Sequence, residues 1–270
     1  MVEQLRIEYP QSVSKACRIL KMSRSTLHYK SIKDDNFFIT ALGSLAEKHP
    51  REGFWKSYGR LRNKGVVVNH KKLYRIYKSI GLAMRRKYKK RLPKREKKPL
   101  VIPSKFTQSW SIDFTSDVLE NGRKFRSFNV IDDYNREVLF IEVDYSLKSS
   151  RVVWVLNHLI GRYGKPQSIR MDNGPELIAG LMTHWSNANS ITFQYIEPGK
   201  PMQNGYIERF NRTYRENVLD SYIFESLEDV REITDEFVKD YNEERPHESL
   251  AGFSPVKYRE MEKQKLAVLN

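Results

Sequence analysis

Apolar residues change their spacing part-way along the chain, and the elements they predict change with it. Up to about residue 84 they recur every three or four positions, the spacing of one helix face. Val13, Ala16, Cys17 and Leu20 mark a first helix, and Ser23 is placed to cap a second short one running to Tyr29, with a tight turn at Lys21-Met22 between them. Phe37, Phe38, Ala41, Leu42 and Leu45 mark a third, ended by His49-Pro50. Leu73, Ile76, Tyr77 and Ile80 mark a fourth, with Asn69 as its cap and Gly81 as its stop. From Ser109 the pattern becomes that of strands. Segments 109–117, 124–132 and 137–145 are rich in Ile, Val and Phe and are separated by Glu120-Asn121-Gly122 and Asp133-Tyr134-Asn135 turns. A helix over 149–163, a strand over 168–171, a helix from Pro175 to Ala188, a strand over 191–196 and helices over 203–219 and 226–244 follow, the last with a capping-box start at Ser226. Three antiparallel strands followed by alternating helices and strands predict a mixed α/β sheet with helices on its faces.

Charge sharpens this division. Residues 1–100 hold 27 Lys and Arg against 7 Asp and Glu, whereas residues 101–270 hold 21 against 26. A basic helical front attached to a mildly acidic α/β body points to nucleic acid as partner. Ten of the fourteen residues from Arg85 to Lys98 are basic, and Pro93 and Pro99 flank or interrupt them. Such a run suits a linker that tracks DNA phosphates. The single cysteine, Cys17, excludes an internal disulfide framework and argues against a Cys-based zinc site. No apolar run is long enough for a membrane span and no secretory leader is evident, so a reducing, cytoplasmic and nucleoid-associated setting is expected.

Three acids stand out by position. Asp113 lies inside the first strand, between Ile112 and Phe114, which point to the opposite face. Asp172 follows the short strand 168–171, and Glu208 lies in the helix over 203–219. If the first strand and the 168–171 strand are neighbours, the two aspartates sit side by side and a covering helix brings Glu208 to them. Carboxylates held that close repel, and a hard divalent cation relieves the repulsion. All-oxygen ligation points to Mg²⁺, with Mn²⁺ as substitute, two ions per site serving phosphoryl transfer. Taken singly, each acid is more simply a cap or a surface charge.

The segments around these acids are similar to those of insertion-sequence transposases of the two-reading-frame (OrfB) type, whose core resembles that of retroviral integrases. Asp172 and Glu208 stand 36 positions apart. The flanks also match: WSIDF around Asp113, RMDNGPE around Asp172, PGKPMQNGYIERFN from Pro198 to Asn211, YNEERPHESL from Tyr241 to Leu250, and SRST from Ser23 to Thr26. The resemblance runs from about residue 11 to about residue 260. It implies a ribonuclease H-like core with a five-stranded mixed sheet, and Asp113, Asp172 and Glu208 as catalytic, metal-holding residues. It implies nicking at element ends by water, then attack of the freed 3′-OH on another strand. It also implies a homo-oligomer on DNA, and an upstream-frame protein as fusion or partner.

The domains expected are a helix-turn-helix unit over 1–33, a second helical unit over 34–84, a basic linker over 85–104, the core over 105–221 and a C-terminal helical extension over 222–270. DNA contacts are expected from Arg24, Ser25, Thr26 and His28 in the first unit, and from Lys71, Lys72 and Arg75 on the basic face of the second. Arg85, Arg86, Lys87, Lys89, Lys90 and Arg91 would contribute from the linker, and Gln203, Asn204 and Arg215 from beside the acids. Several residues have plainer readings. Glu176 suits a first helical turn, Asp132 and Asp133 a hairpin cap, and Trp110, Trp154 and Trp185 the core. Two alternatives stay open at this point: a ribonuclease H-like nuclease without strand transfer, and a DNA-binding regulator without catalysis.

Overall fold

In the computed structural model, residues 7, 13–28, 34–83, 103–197 and 201–269 are described. Two compact units are present, Met1–Ala41 and Leu42–Asn270. The first contains α1 (Val13–Ile19) and α2 (Arg24–His28). Their turn closes on Met22 N–H donating to the Cys17 carbonyl at 2.9 Å, with Lys21 left-handed at φ 49°. Ser23 caps α2 as expected, its Oγ accepting from Thr26 N–H at 3.1 Å. Cys17 is buried. The helix α3 (Asn36–Lys48) runs from this unit into the next.

The second unit is built on five strands: β1 (Ser109–Val118), β2 (Lys124–Asp132), β3 (Val138–Asp144), β4 (Ser168–Met171) and β5 (Thr192–Tyr195). Their order is β3-β2-β1-β4-β5, with β1, β2 and β3 antiparallel and β1, β4 and β5 parallel. This is the mixed, ribonuclease H-like sheet expected. Period-two alternation divides its side chains between two cores. On one face Trp110, Ile112, Phe128 and Val130 pack with α6 (Ser149–Tyr163) and α7 (Gly180–Asn189). On the other Phe125, Ile131, Ile141 and Val143 pack with α8 (Gly205–Tyr214) and α9 (Leu227–Glu243). Ser226 and Asp229 form the expected capping box at the start of α9.

Residues 42–83 belong to this same unit. It includes α4 (Phe54–Asn63) and α5 (His70–Ser79), the latter capped by the Asn69 side chain and closed by Gly81 at φ 79°. What holds α4 is a buried ion cluster. Arg60, 1% exposed, donates Nε to Glu52 at 2.8 Å and Nη2 to Asp240 of α9 at 2.7 Å, while Arg245 pairs with the other Glu52 oxygen. Gly59 permits the approach, because a Cβ there would lie 2.8 Å from the Pro246 ring. A last helix, α10, spans Pro255–Leu269.

Three expectations are corrected. The helix expected from Pro175 starts at Gly180, and residues 172–179 form an irregular turn. Glu176 therefore does not occupy a first helical turn, and instead pairs with Arg126 of β2. The helix expected over 203–219 is three pieces: a 3-10 turn (Pro201–Asn204), α8, and a π-helical turn (Arg215–Leu219). Trp154 is not core. It is 50% exposed, with Arg151 over its ring and His158 stacked against it.

Candidate active site

The local geometry begins with the β1–β4 pairing. The pairing ends with Ser111 opposite Arg170, two residues before Asp113 on β1 and two before Asp172, the first residue past β4, so both aspartates lie beyond the same end of this pairing. At that end is a fixed point. Asp133, fully buried in the β2–β3 turn, accepts from Ser109 Oγ at 3.0 Å, from Ser111 Oγ at 2.5 Å and from Arg170 Nη1 at 3.1 Å. Its neighbour Asp132 accepts from Thr107 N–H at 2.7 Å and Tyr134 N–H at 2.8 Å. The hairpin-capping reading holds for Asp132; the Asp133 side chain instead ties β1 to β4.

Asp113 shares its face with the polar row Ser111, Thr115, Ser127 and Asn129, and α8 lies over this row. Asn211 of α8 donates to Asp113 Oδ2 at 2.8 Å and accepts from Asn129 Nδ2 at 2.8 Å, while Asp113 Oδ1 takes Phe114 N–H at 2.8 Å. Asp172 turns back on itself, its Oδ1 accepting from Gly174 N–H at 3.0 Å. A Cβ at Gly174 would lie 3.1 Å from that oxygen, a tight contact that would make the Asp172 carboxylate shift. Glu208 stands on the exposed side of α8, one turn before Asn211 and Arg212.

Burial pushes the Asp113 carboxyl up to about 6, and the charges of Asp172 and Glu208 push the same way against the hydrogen bonds from Phe114 and Asn211. Burial also raises Glu208, opposed by Arg212. Three hard-oxygen donors with mutual repulsion are the donor chemistry of a divalent-cation site. Among the described residues, no three acidic, His or Cys side chains converge closely enough to share one ion. Asp172 and Glu208 are nevertheless near enough for their charges to act on Asp113.

A stability consequence follows from Asp113. Its folded value is raised, so between the ordinary aspartate range and about 6 the folded protein holds a proton that the unfolded chain releases. Stability from this group is therefore present at low pH and lost as pH rises through about 6. Metal-free Asp113→Asn is expected to melt above wild type by several degrees well above this pH, with the gap closing as pH falls towards the ordinary aspartate range. Thermal melts across pH in a chelator check this, and a pH-independent gap would contradict it.

Two integrase core domain models match the chain, one over residues 103–201 and one over residues 189–255. A 31.7 kDa protein of insertion element IS407 from Burkholderia multivorans is 36% identical over 249 residues, covering 92% of this chain and 90% of the relative. A 39.2 kDa protein of insertion element IS476 from Xanthomonas euvesicatoria is 34% identical, covering 92% of this chain and 72% of the relative. The chain belongs to the insertion-element transposases with an integrase core. A more distant transposase, of insertion element IS2 from Escherichia coli, is 23% identical over 272 residues, covering 91% of this chain and 90% of the relative. Among solved structures, the HTLV-2 integrase catalytic core domain in complex with magnesium covers 60% of this chain and is itself covered to 99%, at 17% identity and a TM-score of 0.47. As a member of this family the transposase is a polynucleotidyl transferase acting on DNA.

The residues expected to touch DNA fall in varied settings. Arg24, Ser25 and Thr26 are exposed on α2, although the Ser25 and Thr26 hydroxyls also bond to Ser23 Oγ. His28 closes α2. Lys71, Lys72 and Arg75 are exposed on α5. Arg85, Arg86, Lys87, Lys89, Lys90 and Arg91 lie outside the described residues. Gln203 bonds to the Glu197 backbone N–H at 2.8 Å and carboxylate at 3.0 Å. Asn204 is buried, with its Oδ1 lacking a hydrogen bond among the described residues. Arg215 donates to the Ser116 carbonyl at 2.8 Å and faces Asp117 at 3.5 Å and Asp220 at 3.7 Å. Asn211 and Asn129, which orient Asp113, went unnoticed in the sequence. The one available signal was that Asn211 lies three residues after Glu208 and so shares its helix face.

Proposed function

We propose that Asp113, Asp172 and Glu208 form the catalytic centre of this transposase, which nicks DNA at the ends of its element and then joins the freed 3′-OH to another strand. The observation that supports this reading best is the β1–β4 pairing, which ends at Ser111 and Arg170, two residues short of each aspartate, with the helix carrying Glu208 packed on β1. These three carboxylates are the residues that would hold two Mg²⁺ ions, with Mn²⁺ as substitute. Bound there, such ions would stabilise charge on the attacking and leaving oxygens of an in-line displacement. Glu208 must swing towards the strand acids for all three to act together, and its exposed position on α8 leaves it free to do so. Asn211 and the Phe114 N–H fix the direction of the Asp113 carboxylate while that happens. Asp133 keeps β1 and β4 in that pairing.

The exposed basic residues of α2 and α5 and the run from Arg85 to Lys98 would contact the DNA, and Gln203, Asn204 and Arg215 would contact it beside the three acids. Two DNA ends with one active site each call for a homo-oligomer on DNA. An upstream-frame protein would supply further end recognition. No helix among the described residues is long and apolar enough to cross a membrane, and a cytoplasmic, nucleoid-associated protein fits this work.

The test is incubation of the purified chain with labelled DNA flanking its own gene, in Mg²⁺ or Mn²⁺. Metal-dependent nicks and joined products are expected. Nicks without joined products would replace strand transfer by hydrolysis alone. Binding without any cleavage, also in a fusion with the upstream frame, would leave a DNA-binding regulator.

A further inference from the structure

A cleft of about 280 Å³ opens between α8 and the segment after α9, away from the carboxylates. Its wall on α8 is made by Tyr206, Arg209, Phe210 and Thr213. At about 100° per residue these four cluster on one side of the helix, whereas Glu208, Asn211, Arg212 and Arg215 cluster on the opposite side. One short helix therefore presents the candidate catalytic face in one direction and this cleft in the other.

The cleft is rich in cations. Arg209 lines it from α8, Lys56 from α4, Arg136 from the β2–β3 turn and Arg245 from the segment after α9. Arg245 is compensated by Glu52, but the other three are not. Lys56 Nζ donates to a neutral group, the Pro246 carbonyl. Neither Arg136 nor Arg209 has a carboxylate partner among the described residues. Arg136 lies over the Tyr206 ring at 3.5 Å, and its Nη1 has no hydrogen bond among the described residues. His247 Nε2, at the same cleft, is likewise without a partner. The only carboxylate in the lining is Glu248. Burial holds the His247 imidazole well below its usual range, and the charges of Lys56, Arg245, Arg209 and Arg136 push the same way. Burial and Arg245 also bring the Lys56 ammonium down to about 8.

A buried guanidinium nitrogen without a partner, with further cations around the same polar cleft, is what an anion completes. This enzyme's substrate is a polyanion. A second cleft shares Lys56, His247 and Glu248 with the first, and Trp55 (58% exposed) and Tyr58 line it, giving the pairing of cations and flat aromatic surface that suits a nucleic-acid strand. We propose that the cleft formed by Lys56, Arg136, Arg209 and His247 binds a phosphodiester of the DNA, on the opposite side of α8 from the three acids. The inference rests on the transposase reading for its ligand, and not on the assignment of the acids.

The test compares wild type with Arg136→Gln/Arg209→Gln and with a control of equal charge loss on the exposed surface, Lys124→Gln/Lys165→Gln. Affinity for a fluorescein-labelled duplex is measured between about 50 and 200 mM salt. Each lost phosphate contact should flatten the log–log salt slope by about 0.9. Each lost charged hydrogen bond should weaken binding roughly tenfold. The double variant is expected to lose slope on this scale, and the control much less. If Arg136→Gln unfolds, as a melt would show, Arg209→Gln alone is expected to lose about 0.9 in slope. A slope and affinity equal to the control's would overturn the site. Inorganic phosphate raising the wild-type melting temperature without competing with the duplex would also overturn it, by assigning the cleft to a free anion. Wild type binding DNA with no salt dependence would instead count against the DNA reading as a whole.

Discussion

The Glu208→Gln variant is expected to lose metal-dependent cleavage and joining by about three orders of magnitude while keeping its DNA affinity within a few-fold. Gln is close in size to Glu and keeps one oxygen, so α8 should fold unchanged. What it lacks is the negative charge that ligation of a divalent cation needs. Several kcal/mol of transition-state stabilisation depend on such an ion, and about 4 kcal/mol corresponds to a thousandfold in rate. DNA affinity should hold because a carboxylate repels phosphate, so its removal can only help binding. Single-turnover cleavage in Mn²⁺, beside a binding isotherm, reads both quantities. Cleavage within tenfold of wild type would remove Glu208 from the catalytic centre. Loss of binding in parallel with cleavage would place it in DNA recognition or folding instead.

The second large effect concerns folding. Arg60→Leu is expected to destabilise the protein by about 3–5 kcal/mol, because it leaves the Glu52 and Asp240 carboxylates without their shared buried partner. For a unit of this size that is a fall in melting temperature of roughly 10 °C. Burial pushes both carboxyls up, and hydrogen bonds and charge from Arg60, joined at Glu52 by the charge of Arg245, more than reverse this, so both end below their usual range. Groups depressed in the folded state contribute stability above their unfolded values and lose it as pH falls through the folded ones. The gap between wild type and Arg60→Leu should therefore be full near neutral pH and shrink in acid. Glu52→Gln in the Arg60→Leu background should recover part of the loss. A gap that neither shrinks in acid nor responds to Glu52→Gln would mean that the Arg60 side chain acts by packing alone.

The strands and the positions of the acids were legible because they rest on short-range pattern. Ile112 and Phe114 go into one core and leave Asp113 on the other face, as alternation requires. Ser23, Asn69 and Ser226 cap their helices because each acts on a backbone N–H two or three residues away. The elements that escaped are those set by distant partners. The apolar stripe of α4 is short, Phe54, Tyr58 and Leu61, and a charged residue shares its buried side. Its inner face is Phe54, Ser57, Arg60 and Leu61, and it is held by Glu52, Asp240 and the Pro246 ring. Pro175 has the look of a first helical residue, yet the following turn stays open because Ser149 Oγ donates to the Glu176 carbonyl and Arg126 takes the Glu176 side chain. Asn129 and Asn211 meet across 82 residues, and no local pattern joins them. The basic front was legible as charge but not as structure, since Arg60 turns its charge inward.

The bond between Asp133 and both β1 and β4 has one more consequence. Sliding one parallel strand past its neighbour by two residues keeps every side chain on its own face, so hydrophobic burial does little to forbid it. Such a slide would set Asp113 against Arg170, or Asp172 against Ser111. Asp133 grips Ser111 from one strand and Arg170 from the other, two residues short of each aspartate. It therefore works as a vernier pin. The fatty faces of the sheet choose which side each residue shows, and this buried carboxylate chooses which notch the two strands engage.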